Sequence, residues 1–104
     1  MSTNNFMEKC EEMQERVLSL YDTINELGPM PEEATFEEKL AHVIKINDAL
    51  AEANKCSHIS LAYCIKSGTN DESIFDDIIN IQHKTAELLD SLWVSFLDMV
   101  SEEW

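Results

Sequence analysis

A chain of 104 residues, 44% of them hydrophobic, is long enough for one buried core and short for two. Twenty-one acidic residues against seven lysines and arginines set a formal net charge of -14. Charge of that sign repels phosphate backbones and anionic headgroups, which argues against direct nucleic-acid or membrane partners and favours a basic protein.

In chain order, three segments open on the spacing of a helix capping box: Asn5 with Glu8, Thr35 with Glu38, and Thr69 with Glu72. They predict helices over about 5–27, 36–67 and 70–103. Gly28-Pro29 ends the first, since glycine accepts a left-handed cap and proline cannot continue the ladder; Gly68 ends the second. The start of the chain, MSTNNFMEKCEE, has no basic stretch followed by an apolar one, and no run reaches the length of a membrane span, so a cytoplasmic chain is expected. Cys10, Cys56 and Cys64 are odd in number and lack CxxC spacing, which fits free thiols in a reducing compartment.

The first helix carries Phe6, Cys10, Met13, Val17, Leu20, Ile24 and Leu27 at alternating spacings of four and three, a narrow coiled-coil seam. In the second, Phe36, Leu40, Val43, Ile44, Leu50, Ala51, Leu61 and Ile65 read as the apolar face. The third carries Ile74, Phe75, Ile78, Ile81, Leu88, Leu89, Leu92, Phe96 and Met99. Ile79, Trp93, Leu97, Val100 and Trp104 widen its stripe beyond what one neighbour covers. Short connections make successive helices antiparallel. The fold class expected is therefore all-α: a single-domain, up-down-up three-helix bundle of long helices. Two alternatives stay open, a break of the second helix near residues 55–57 that would give four helices, and a homodimer through the wide third helix.

Within the second helix, Asn47, Asn54 and His58 fall among its apolar positions, and antiparallel pairing brings Gln82 and Thr85 of the third helix to the same level. A buried polar layer is expected there, fixing register at some cost in stability as a buried asparagine does in coiled coils. Nothing in it orients or raises His58 for acid-base work.

Chemistry-bearing patterns are sparse. Cys56 and His58 lie two apart, about 200° around a helix, and cannot share a metal. Single histidines at 42 and 83 are expected to be solvated. No Glu-x-x-His pair suits a di-metal bundle, and both glycines already end helices. EEMQE at 11–15 and ELLD at 87–90 resemble the EExxE and ExxD motifs of all-helical nucleotide pyrophosphohydrolases, a family whose motif carboxylates point inward. Glu11, Glu12 and Glu15 instead project away from the Cys10–Met13–Val17 seam. The expectation is a chain without enzyme activity, cofactor or metal.

Charge is distributed unevenly: residues 1–38 carry a net -8, residues 39–68 carry +2 and residues 69–104 carry -8. On the first helix Glu8, Glu11, Glu12, Glu15, Asp22 and Glu26 fall within about 100° of arc opposite the seam. Asp76, Glu87, Asp90 and Asp98 continue the acidic surface on the third, with Trp93 and Trp104 as candidate aromatic anchors. In size and charge the chain resembles small phage- or plasmid-encoded nuclease inhibitors, including anti-CRISPR and DNA-mimic proteins. That resemblance implies an inhibitor that blocks a basic surface on a nucleic-acid-binding protein, complex or toxin, as anti-defence and immunity proteins do. The alternative expectation is a helical dimerisation or adaptor module acting through the wide third helix.

Overall fold

The computed structural model describes residues 2–102, with side chains described over 5–101; Trp104 lies outside them. Three helices follow one another: α1 (Ser2–Leu27), α2 (Phe36–Ser67) and α3 (Glu72–Glu102). They form an up-down-up three-helix bundle, a rod 58 × 18 × 15 Å. α2 is continuous through residues 55–57, so the four-helix alternative is not realised. It is also the central helix: α1 packs closely on α2 and α2 on α3, whereas α1 and α3 meet mainly through side chains.

Helix ends follow local chemistry. Thr35 is extended (φ -69°, ψ 165°) and its hydroxyl oxygen accepts from the Glu38 N–H at 3.1 Å, as the capping box requires. Gly28 (φ 69°) and Gly68 (φ 74°) take the left-handed conformation that ends α1 and α2, and the Gly68 N–H donates to the Ile65 carbonyl at 3.1 Å. His42, expected to be solvated, is half-buried and places Nε2 3.1 Å from the Gly28 carbonyl, tying the end of α1 to the start of α2.

Two starts differ from the sequence expectation. α1 begins at Ser2 rather than Asn5, because residues 2–4 contain nothing that stops a helix and each further residue adds a backbone bond. α3 begins at Glu72 rather than near residue 70, because Thr69 serves the turn instead: its hydroxyl oxygen accepts from the Asp71 N–H at 3.2 Å. Asp71 is the cap, with Oδ1 accepting from the Ser73 hydroxyl at 2.6 Å and the Ser73 N–H at 3.0 Å. Those bonds hold its carboxyl below the usual carboxylate range. A depressed native pKa gives stability that is present above the unfolded value and lost as pH falls through the native one. Asp71→Asn retains a capping oxygen without the charge. Its stability deficit against the natural chain at pH 7 should therefore shrink as pH falls below the ordinary aspartate value of about 4, a trend that thermal unfolding followed by circular dichroism measures directly.

The largest correction concerns the rotation of α2. Its buried face is Val43, Ala49, Leu50, Ala53, Cys56, Ser57, Ser60, Cys64 and Ser67. Ile44 and Ile65, read as core, are 50% and 63% exposed, and Ala51 is exposed as well. Val43, Ile46, Leu50, Ala53, Ser57, Ser60, Cys64 and Ser67 keep the alternating three-four spacing of a coiled-coil seam. A central helix needs an inward arc wide enough for two neighbours. α2 gives its small side chains to α1, so that Ala49, Ala53 and Cys56 pack under Val17 and Leu20, and its large ones, Val43 and Leu50, to Leu92 of α3.

Small side chains let α1 and α2 approach until side chains of one reach the backbone of the other. The Ser60 hydroxyl donates to the Cys10 carbonyl at 3.1 Å, which leaves its oxygen to accept from the Cys10 thiol at 3.3 Å. Cys10 and Cys64 then share a cluster with Ile78 of α3.

The candidate protein-binding surface

Of the five side chains expected in a buried polar layer, Asn47, Asn54, His58, Gln82 and Thr85, only Thr85 is buried. Thr85 is fully buried; its hydroxyl donates to the Ile81 carbonyl at 2.8 Å and its oxygen accepts from the Tyr21 hydroxyl, joining α3 to α1. Gln82 is half-buried and donates from Nε2 to the Ser57 carbonyl at 3.4 Å. Asn54 is half-buried and contributes its carbonyl, which accepts from the Ser57 hydroxyl at 2.8 Å. Asn47 is half-buried at the margin. His58 is not in the layer: it is exposed, with Nδ1 2.8 Å from the Asn54 carbonyl one turn back. Rotation of α2 carries His58 outward and puts Ser57 and Ser60 in the seam. Among the described residues every buried side-chain nitrogen and oxygen has a hydrogen-bond partner, so the layer is closed rather than aimed into a cavity.

The thiols are equally enclosed. Burial, and then the neighbouring Glu52 carboxylate, push the Cys56 thiol up; burial and the adjacent Cys10 do the same for Cys64. Both shifts disfavour the nucleophilic thiolate. Among the described residues no three His, Cys, Asp or Glu side chains converge as metal ligands, and no described helix is long and apolar enough to cross a membrane.

Outside this interior, the acidic surface lies where helical periodicity puts it. Glu8, Glu11, Glu12, Glu15, Asp22 and Glu26 are all exposed on α1, and Asp76, Glu87, Asp90 and Asp98 are all exposed on α3. The carboxylates of EEMQE and ELLD thus face solvent, without the inward setting of the pyrophosphohydrolase motifs. Two of the few cations are committed elsewhere. Lys9 lies over the Tyr63 ring and Lys84 over the Tyr21 ring, each 5.5 Å from the centroid. Tyr21 is thereby tied into the bundle by its hydroxyl and covered on its face.

Because α1 and α3 both pack on α2 and meet each other mainly through side chains, a groove of about 540 Å³ runs between them. Glu11 and Glu15 line its α1 side and Asp77 its α3 side; Leu18 and Ile81 supply apolar surface, and Gln14 and Asn80 supply amides. The groove brings acids from two helices to one place. Sequence reasoning passed over Leu18. The available signal was a leucine standing among the carboxylates of α1, and it is 58% exposed.

A second apolar surface lies on α3. Trp93, Val94 and Leu97 are 46%, 59% and 62% exposed, with Trp93 edge-on to Phe96 at 5.4 Å and 82°. The excess apolar width of α3 is therefore not consumed by the bundle. The chain matches no protein-family model, no curated protein and no solved structure.

Proposed function

We propose that this chain is a small acidic, noncatalytic protein-binding protein that occupies a basic surface of a nucleic-acid-processing protein or toxin, an inhibitor of the anti-defence, anti-CRISPR or immunity type. The observation that carries this reading is the groove where Glu11 and Glu15 of α1 face Asp77 of α3, at the edge of an α1 stripe whose six carboxylates all stay in solvent. Like charges at 8/12 and 11/15 weaken the isolated helix by a few tenths of a kcal/mol per pair. A cation seated on the surface relieves that repulsion and gains a groove wide enough for arginine or lysine side chains.

The test is capture from a plausible host lysate at low salt, graded salt elution, and the same capture with Glu11→Lys/Glu15→Lys. A basic protein released by moderate salt and lost with the charge-reversed chain is the expected result. Retention by the charge-reversed chain, or direct binding of duplex DNA by the natural one, overturns the reading. The exposed Trp93, Val94 and Leu97 favour a second reading, a dimerisation or adaptor module. Light scattering showing a dimer abolished by Trp93→Ala and untouched by the acidic substitutions would support it.

A further inference from the structure

We infer that the C-terminal half of α3 is a docking strip for a cationic amphipathic helix of the partner. Asp90, Trp93, Val94 and Leu97 stand at i, i+3, i+4 and i+7, the spacing by which one helix presents a seam to another. All four are exposed. Val43 of α2 packs in the same cluster as Phe96, so the exposed Ile44 adds apolar surface at the same end of the rod.

Charge decides between the two helical occupants. A second copy laid on this strip brings another Asp90 and another net charge of -14 to the same contact, which like-charge repulsion opposes. A helix with an apolar stripe bordered by lysine or arginine meets both features at once. Its apolar side chains cover Trp93, Val94 and Leu97, and its cations reach Asp90 and the neighbouring Glu87. The inference rests on the reading that the partner is basic and names the form of its contacting segment.

The probes are a synthetic helix of about 18 residues, with leucine at i, i+4 spacing and lysine elsewhere, and an oligolysine of equal charge. The protein carries Trp104→Phe, leaving Trp93 as the sole tryptophan. The amphipathic peptide should blue-shift Trp93 emission, and Leu97→Ser should weaken its binding about ten-fold. Ile65→Ser, equally exposed on another helix, should leave binding unchanged. Oligolysine should bind without the shift and without sensitivity to Leu97→Ser. If oligolysine binds but the amphipathic peptide binds no tighter and shifts nothing, the docking strip is wrong and the basic-partner reading stands. If neither peptide binds, both fall. A dimer of the unliganded protein that Leu97→Ser dissociates assigns the strip to a second copy and overturns the inference.

Discussion

Leu50→Ala should lower the unfolding free energy by about 2–5 kcal/mol in urea denaturation, while Ile44→Ala and Ile65→Ala should each change it by less than about 0.5 kcal/mol. Leu50 is 1% exposed and packs with Val43 and Leu92 where α2 meets α3. Truncation there removes buried methyl groups and leaves a cavity that two long helices cannot collapse without moving along their whole length. Ile44 and Ile65 face solvent. Three comparable losses would mean that α2 is rotated as its large apolar residues alone suggest, with the serine face outward. That outcome would also remove the packing that places Ser60 on the Cys10 carbonyl.

Glu11→Gln/Glu15→Gln should leave the fold intact, or slightly stabilise it, while slowing association with the proposed basic partner about ten-fold at low ionic strength. The two substitutions relieve one like-charge pair on α1 and remove both carboxylates from the α1 side of the groove. Electrostatic steering acts on the encounter rate more than on the lifetime of a complex. The effect should therefore appear in the association phase of a stopped-flow or surface-binding trace. Unfolding measured alongside separates the two consequences: a surface retained for binding improves in stability when neutralised, and a surface needed for folding does not.

Much of the fold was legible because the α1 seam and the Thr35, Gly28 and Gly68 signals are local. Side-chain period and cap chemistry act within a turn or two of the residue that carries them, and the structure uses all of them. The rotation of α2 was not read correctly because a central helix is chosen by its neighbours. Packing on α1 rewards small side chains, so Ala53, Ser57 and Ser60 became core although each is a weak apolar signal or none. Counting size as well as hydropathy would have revealed the three-four pattern from Val43 to Ser67. Of the side chains expected in the polar layer only Thr85 is buried, and His58 faces solvent because of the same rotation. Periodicity also places the acidic positions on outward faces, but the α1–α3 groove depends on how far apart two nonadjacent helices stand, and no local pattern encodes that separation. Trp93 illustrates both sides: its place on the widened stripe of α3 was evident, whereas its exposure depended on whether α1 would turn to cover it.

The most direct measurement is the association rate constant of the natural chain with its captured partner as salt is raised. Between about 10 and 150 mM the Debye length shrinks from about 30 to about 8 Å. Attraction between the α1 and α3 carboxylates and a basic surface predicts a steep fall in rate over that range, much flattened in Glu11→Gln/Glu15→Gln. A rate indifferent to salt, or equally sensitive in both chains, would contradict the view that this acidic surface is where the partner binds.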